Sequence, residues 1–270
     1  MPYHVKEQFL VLPDMELDCI SFGKGDKPLV MIQGLNTRGI KGAGLSLAWM
    51  YRIFAKDYKV CLFDRRKDLR TGVTIRDLAN DLAAAMDHLG ITKACVFGVS
   101  QGGMIAQELA IQRPDLVRKM VLAVTASRTN STIEQVIHGW MAMTEAQDWK
   151  ALVRDMAEKL YSPAYLRRYR PFLPLLTLVQ KPKDIPRFLT LARACLTCDT
   201  HDRLSEIRCP VLVLGGKQDR VVGGEASQEL ADALGCAFYM YETLGHAAYE
   251  EAKDFNQRVY DFFTKEEPYA

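Results

Sequence analysis

The sequence lacks a long apolar stretch and a dominant charge. The first thirty residues hold only a short apolar run, residues 9–12, and Pro13 and Asp14 follow it directly. A run this short argues against a signal peptide or a spanning helix there. The 35 basic and 33 acidic residues leave a formal net charge of +2, which is too weak a field to hold a polyanion. We therefore expect no stable membrane insertion, no nucleic-acid partner and a small-molecule partner.

The sequence also lacks the pattern of a disulfide framework. Its seven cysteines are an odd number and are scattered through apparent strands and helices, which favours a reducing, cytoplasmic location. Cys195 and Cys198 have C-x-x-C spacing, but no second cysteine pair or histidine cluster completes a zinc site. We expect these two thiols to pack on one helix face, and we expect neither a metal nor a cofactor.

Short apolar runs alternate with helical patterns over much of the 270 residues. The runs have the β-branched composition of buried parallel strands and lie at residues 29–32, 60–63, 94–99, 120–124 and 211–214. Between them, the helix that follows Thr74 has one apolar face and a capping box formed by Thr74 and Asp77. This alternation predicts an α/β fold with a mostly parallel central sheet and helices on both faces. Residues 8–22 are typical of an antiparallel edge hairpin.

The alternation of strand and helix stops after Val124 and resumes near residue 206. The segment between contains helical patterns broken by five prolines, and Ser131 and Glu134 have the spacing of a capping box. We therefore predict a core formed by residues 1–126 and 206–270, with a helical insertion at 127–205. The core then continues with a strand near 238–241 and a final helix through Tyr249 and Val259.

The motif Gly98-Val99-Ser100-Gln101-Gly102 matches Gly-x-Ser-x-Gly. It lies directly after a predicted strand and before a helical stretch, which is the context in which a tight turn exposes a serine hydroxyl above a sheet. The flanking glycines have no β-carbon to clash in such a turn. The alternative is a chance match in a glycine-rich turn. We favour Ser100 as a nucleophile.

A serine hydroxyl is a weak nucleophile unless a histidine accepts its proton. His246 follows Leu244 and Gly245 just beyond the last predicted strand, at the carboxyl edge of the sheet where open α/β folds bind ligands. The other histidines lie in the N-terminus, on a polar helix face or in the insertion: His4, His88, His138 and His201. We predict that His246 is the base, against the alternative of a structural loop histidine.

The acid that orients the histidine is expected at the same edge of the sheet. Asp219 follows the strand at 211–214 through a Gly-Gly turn, whereas the rivals Asp199 and Asp202 fall in or near the insertion. The chain order Ser100, Asp219, His246 is the order expected for a nucleophile on a strand-to-helix turn of this kind. The alternative for Asp219 is a solvated turn residue.

The chain resembles the α/β-hydrolase family from about residue 17 to 264. Three motifs carry the resemblance: Gly98 to Met104, the run from Leu214 to Val222, and Gly245-His246. In its details, including the run Asp64-Arg65-Arg66 after an early strand, the chain resembles the small carboxylesterases and enol-lactone hydrolases. The resemblance implies that the insertion is a helical cap over the active site.

The resemblance also implies an oxyanion hole made of two backbone N–H groups. One is that of Gln101, directly after the candidate nucleophile, and the other comes from the loop Gln33-Gly34-Leu35-Asn36. Many relatives have His-Gly where this chain has Gln33-Gly34, and Leu35 is the expected donor. The alternative is that these residues form only a turn.

These residues together predict a serine hydrolase that cleaves a carboxylic ester or lactone of a small acyl substrate. A serine-dependent C–C bond hydrolase or an acyltransferase would use the same groups, and a small-molecule receptor could be built on the same fold. Trp140, Met141 and Met143 could line an acyl pocket or could be packing residues of the insertion, and the sequence leaves both readings open.

Overall fold

The frame of the molecule is one eight-stranded sheet. A computed structural model describes residues 2–169 and 181–265. The strands are β1 (Lys6–Val11), β2 (Glu16–Phe22), β3 (Lys27–Ile32), β4 (Tyr58–Phe63), β5 (Ala94–Val99), β6 (Val117–Ala123), β7 (Val211–Gly216) and β8 (Ala237–Tyr241). Their order in the sheet is β1-β2-β4-β3-β5-β6-β7-β8. From β4 to β8 in this order, adjacent strands are parallel to each other. Strand β2 is antiparallel to both of its neighbours, β1 and β4.

The central strands are buried because helices cover both faces of the sheet. Every residue of β5 and of β7 is buried, which explains why these strands have continuous apolar runs without alternation. The predicted strands at 29–32, 60–63, 94–99 and 211–214 are confirmed with at most two added residues at either end. The predicted hairpin is confirmed as β1 and β2. Of these two strands only β1 lies at the edge of the sheet, because β2 also pairs with β4.

Ten α-helices are described. They are α1 (Gly44–Met50), α2 (Ile75–His88), α3 (Gln101–Gln112), α4 (Ser131–Glu145), α5 (Trp149–Leu160), α6 (Pro163–Tyr169), α7 (Ile185–Cys195), α8 (Ala226–Leu234), α9 (Ala248–Glu251) and α10 (Phe255–Thr264). One apolar cluster joins α2, α3 and α8 to the sheet. A second cluster on the other face contains Ala48 of α1 together with Phe255 and Phe263 of α10. The predicted α/β fold with a mostly parallel sheet is confirmed.

The helix starts show which capping predictions are right. The Thr74 hydroxyl accepts a hydrogen bond from the Asp77 N–H, and the Asp77 carboxylate accepts one from the Thr74 N–H, so the capping box of α2 is confirmed. The capping box at Ser131 is wrong. Asn130 is the N-cap of α4, because its extended backbone lets its side-chain oxygen accept the Ile133 N–H at 2.9 Å.

Two further local predictions are wrong. The final helix through Tyr249 and Val259 is two helices, α9 and α10, since Ala252 has an extended backbone between them. The thiols of Cys195 and Cys198 do not share one helix face, since α7 ends at Cys195. Cys198 lies beyond that end, and its thiol donates to the carbonyl of Ala126.

The segment between β6 and β7 contains α4 to α7, and an isolated bridge between Arg128 and Asp199 joins its two ends. The division into a core and a cap at residues 127–205 stays a prediction. Across residues 2–169 and 181–265, no helix combines the length and apolarity needed to span a bilayer.

The packing of α3 against β3 leaves no room for a side chain at Gly102. A β-carbon there would lie 2.0 Å from the carbonyl oxygen of Ile32, which is backbone and cannot move aside. We expect Gly102→Ala to lower the free energy of unfolding by about 2–3 kcal/mol. The matched control is Gly139→Ala inside α4, where an added β-carbon meets no described atom within 4 Å. It should raise stability by about 0.5–1 kcal/mol. Urea unfolding measures both, and equal effects of the two variants would contradict this account.

Candidate active site

Ser100 lies between the last residue of β5 and the first residue of α3. Its backbone has φ 54° and ψ −122°, a region that residues with a side chain rarely adopt. The turn is tight enough that a β-carbon on Gly98 would lie 2.5 Å from the carbonyl oxygen of Gly102. The strained turn raises the serine side chain above the carboxyl edge of the sheet.

Thr125 supports this turn, and the sequence contained no motif that pointed to it. Its hydroxyl donates to the Ser100 carbonyl oxygen at 2.8 Å. It also packs against the Cα of Gly103, where a β-carbon would lie 2.6 Å from the Thr125 methyl group. Thr125 follows the end of β6, so only the pairing of β5 with β6 reveals that it meets Ser100.

The structure brings Ser100, His246 and Asp219 together in one hydrogen-bonded chain. His246 Nε2 lies 2.9 Å from Ser100 Oγ, and His246 Nδ1 lies 2.7 Å from Asp219 Oδ2. The other carboxylate oxygen of Asp219 accepts the N–H groups of Val221 at 2.8 Å and Val222 at 3.0 Å. Asp219 and His246 are both buried. The carboxylate is thus held in one orientation in a place that excludes most water, which is the arrangement that can fix the tautomer of an imidazole.

The loops after β7 and β8 meet through close backbone contact. The Gln218 N–H donates to the Leu244 carbonyl oxygen at 2.9 Å. A β-carbon on Gly216 would lie 2.2 Å from the carbonyl oxygen of Gly245. This contact places Asp219 and His246, 27 residues apart, within hydrogen-bond distance.

The rival residues lie elsewhere. The rival acids Asp199 and Asp202 are exposed. Among the remaining histidines, three are exposed, namely His4, His88 and His138. His201 instead pairs through Nδ1 with the hydroxyl of Ser127 at 2.9 Å.

The loop after β3 passes directly beside the nucleophile candidate. A β-carbon on Gly34 would lie 3.1 Å from the Ser100 β-carbon, and Leu35 lines the same cavity as Ser100. Gln101 is the first residue of α3, where backbone N–H groups have no partner inside the helix. The backbone of both residues is therefore near the place where an oxyanion would form, and their roles as its donors stay a prediction.

A cavity of about 80 Å³ opens onto Ser100 and His246. Most of its wall is apolar, and five of the lining residues lie on α4 and α5, namely Ile133, Ile137, Trp140, Met156 and Leu160. Of the three candidates Trp140, Met141 and Met143, all pack in or against the apolar core, and only Trp140 also lines this cavity. Of the five lining residues on α4 and α5, the sequence pointed only to Trp140. The other four were missed because helical spacing alone does not show which face of a helix meets a cavity and which meets the core.

Cys195 also lines this cavity but is a poor nucleophile. Burial raises the pKa of its thiol to about 12, so the thiol is protonated at neutral pH. Its sulfur accepts a hydrogen bond from the Gln101 side chain at 3.1 Å. Within the described part of the chain, no three histidine, cysteine, aspartate or glutamate side chains are grouped as metal ligands.

Known proteins share both the sequence pattern and the fold. The family model described as alpha/beta hydrolase fold matches residues 27–253. The 3-oxoadipate enol-lactonase 2 of Acinetobacter baylyi is 25% identical over 242 residues, which cover 86% of each chain. A protein of Caulobacter segnis whose name proposes a carbamate hydrolase is 28% identical over 242 residues, 84% of this chain and 90% of its own.

Solved structures agree in fold over nearly the whole length. The enol-lactonase of Burkholderia xenovorans superposes with a TM-score of 0.83 at 23% identity and covers 96% of this chain and 100% of its own. An alpha/beta hydrolase from a deep-sea metagenome gives a TM-score of 0.85 at 19% identity and covers 97% and 99%. Because the family pattern extends from β3 to α9 and the sheet has the matching architecture, this chain belongs to the α/β-hydrolase family.

Proposed function

We propose that this chain is a serine hydrolase that cleaves a carboxylic ester or lactone of a small molecule through an acyl-enzyme on Ser100. The observation that carries the proposal is the unbroken chain of contacts from the Ser100 hydroxyl through His246 to the buried Asp219 carboxylate. A base held at 2.9 Å from a serine hydroxyl can accept its proton during attack.

In the first half of the reaction, Ser100 Oγ attacks the acyl carbonyl carbon and His246 Nε2 accepts the hydroxyl proton. The carbonyl π electrons move onto oxygen, and the N–H groups of Leu35 and Gln101 stabilise that charge. Asp219 holds the imidazolium through Nδ1. When the intermediate collapses, the bond to the leaving oxygen breaks and His246 gives that oxygen its proton.

The second half releases the acyl group. A water molecule attacks the acyl-enzyme, His246 accepts its proton, and the Ser100 oxygen leaves and takes that proton back. The charged intermediate again forms beside the N–H groups of Leu35 and Gln101. The products are a carboxylic acid and an alcohol, or a hydroxy acid when the substrate is a lactone.

The cavity wall and the relatives both support a small acyl substrate. The wall around Ser100 consists mostly of apolar side chains such as Ile137 and Met156, which favour an apolar acyl group through burial. The names of the relatives refer to enol-lactones and carbamates. Both compound classes have a carbonyl bonded to a leaving oxygen or nitrogen, which is the group that the proposed attack requires.

The first prediction for the proposed reaction concerns the nucleophile. Ser100→Ala removes the attacking oxygen, so turnover of p-nitrophenyl butyrate should fall by about 10⁴-fold or more. Covalent labelling by a fluorophosphonate should disappear at the same time. Burst kinetics and intact mass measure the two effects, with one label per wild-type chain and none in the variant. Wild-type protein that neither labels nor turns over esters would contradict the proposed function.

A second serine–histidine pair supplies the matched control for labelling. Ser127 is buried and bonded to His201 through Nδ1, and it lacks the strained turn that exposes Ser100. Ser127→Ala should therefore leave the labelling stoichiometry unchanged, and loss of the label in this variant would contradict Ser100 as the nucleophile.

The second prediction concerns the acid. An asparagine at position 219 keeps the shape of the side chain, but its amide group can turn toward His246 Nδ1 and favour the wrong tautomer. We expect kcat of Asp219→Asn to fall by about 10³–10⁴-fold, as measured with the same ester. The control is Asp202→Asn, since Asp202 is an exposed aspartate and its variant should keep wild-type kcat. An active Asp219→Asn enzyme would exclude Asp219 from the proposed role.

The third prediction concerns the acyl pocket. Met156 lines the cavity, and shortening it to alanine adds space beside Ser100. We expect the ratio of kcat/KM for octanoyl to butanoyl p-nitrophenyl esters to rise by about tenfold in Met156→Ala. Met143→Ala is the matched control, because both methionines pack against the apolar core but Met143 is not among the residues that line the cavity. If both variants shift the ratio equally, the cavity is not the acyl pocket.

A further inference from the structure

Two charged residues are buried in the turn directly after β4. Asp64 and Arg65 are 6% and 8% exposed. Burial lowers the pKa of the Arg65 guanidinium to about 10, which still leaves it charged at neutral pH. Buried charges are costly unless they are paired and hydrogen-bonded, so the partners of these two side chains identify what the turn holds in place.

The two residues hold both ends of the loop that passes Ser100. Arg65 Nη2 donates to the carbonyl oxygen of Gln33 at 2.7 Å, immediately before Gly34 and Leu35. At the other end of the loop, Asp64 Oδ2 accepts the Ile40 N–H at 3.2 Å. Because a peptide group is planar, fixing the Gln33 carbonyl also fixes the Gly34 N–H and the direction in which the loop leaves.

The same guanidinium nitrogen also contacts the start of α3. Arg65 Nη2 lies 3.4 Å from Gln101 Oε1, and the Gln101 side chain is almost fully buried. The amide nitrogen of Gln101 donates in turn to the Leu191 carbonyl oxygen at 2.7 Å and to Cys195 at 3.1 Å. One nitrogen of Arg65 thus contacts the loop that contains Leu35 and the residue that supplies the other expected oxyanion donor.

Helix α7 is bound to this turn from the other side. Arg187, in the first turn of α7, donates to the Arg65 carbonyl oxygen at 2.9 Å and to Asp64 Oδ1 at 3.2 Å. Arg187 is also bonded to the Arg66 carbonyl oxygen. The turn at 64–66 is therefore the place where the loop after β3, the start of α3 and the insertion meet.

We propose that Arg65 is a positioning residue that sets the distance between the two oxyanion donors, the backbone N–H groups of Leu35 and Gln101. Through the turn at 64–66, Arg65 also links that distance to the position of α7. This inference rests on the proposed function, since it assigns Arg65 to the oxyanion side of that reaction. Arg65 acts through the Gln33 carbonyl and the side-chain amide of Gln101, and it is not among the residues that line the cavity at Ser100. A displaced donor weakens the stabilisation of the developing charge and leaves substrate binding nearly intact.

The test compares Arg65→Met with Arg66→Met. The neighbouring arginine pairs with Asp81, so its variant loses a partly buried ion pair without losing the contacts to Gln33 and Gln101. For Arg65→Met we expect kcat to fall by about 10–100-fold with KM within about twofold. The inhibition constant of a trifluoromethyl ketone, which forms an oxyanion adduct with serine, should rise by the same factor. Arg66→Met should lower the melting temperature but keep kcat and the inhibition constant.

Two outcomes overturn the proposal. The first is a folded Arg65→Met enzyme with wild-type kcat and inhibition constant, which would leave Arg65 only a structural role. The second is a loss of kcat that is equal in Arg65→Met and Arg66→Met. If Arg65→Met does not fold, Arg65→Lys replaces it, since one ammonium group can serve Gln33 but cannot reproduce the geometry of the guanidinium. Its kcat should then lie between the wild-type value and one hundredth of it, and a wild-type kcat would overturn the proposal.

A measurement without substrate separates this inference from the proposed function. Hydrogen exchange of the peptide spanning residues 33–40 should be faster in Arg65→Met, or in Arg65→Lys, than in wild type and in Arg66→Met. Unchanged exchange in that peptide would overturn the positioning role even in a protein without esterase activity. Absence of labelling and turnover in wild type, with faster exchange in the variant, would refute the proposed function alone.

Discussion

Ser100 has a backbone conformation that costs about 1–3 kcal/mol for a residue with a side chain, and the surrounding packing maintains it. The start of α3 lies against the ends of β3 and β5 so closely that Gly98 and Gly102 have no space for a β-carbon. The Ser100 carbonyl is held by the Thr125 hydroxyl. All other groups of the candidate site are arranged around this turn, because it decides where the serine hydroxyl lies.

Two buried polar networks flank that hydroxyl, and they come from strands on either side of β5 in the sheet order. Beyond β6, the loops after β7 and β8 supply the Asp219 carboxylate and the His246 imidazole. On the other side, the loop after β3 and the turn after β4 supply the region around Leu35 and the buried charge of Arg65. Strands β3 and β5 are neighbours although β4 lies between them in the sequence. Such a reversal in strand order opens a crevice at the carboxyl ends.

Structural features that depend on neighbouring residues were easier to predict from the sequence than features that depend on contacts between distant residues. The run of residues 94–99 is a buried strand with the bounds that its composition predicted, because burial on both faces is a property of the run itself. The predicted cap of α4, Ser131, lies one residue after the observed cap, since Asn130, Ser131 and Thr132 are all possible caps and backbone conformation decides among them. The break at Ala252 had no proline or glycine to mark it.

Several features follow from short stretches of sequence: the alternation of strand and helix, the turn that contains Ser100, and the order of Asp219 and His246 after it. These features are local, since each depends on the composition of a few neighbouring residues. Other contacts follow only from the packing of the whole chain. His246 Nε2 lies 2.9 Å from Ser100 Oγ, Met156 lines the cavity, and Arg65 contacts Gln33 and Gln101. Such contacts join residues more than thirty positions apart, and their distances depend on how strands and helices pack, which no short stretch of sequence encodes.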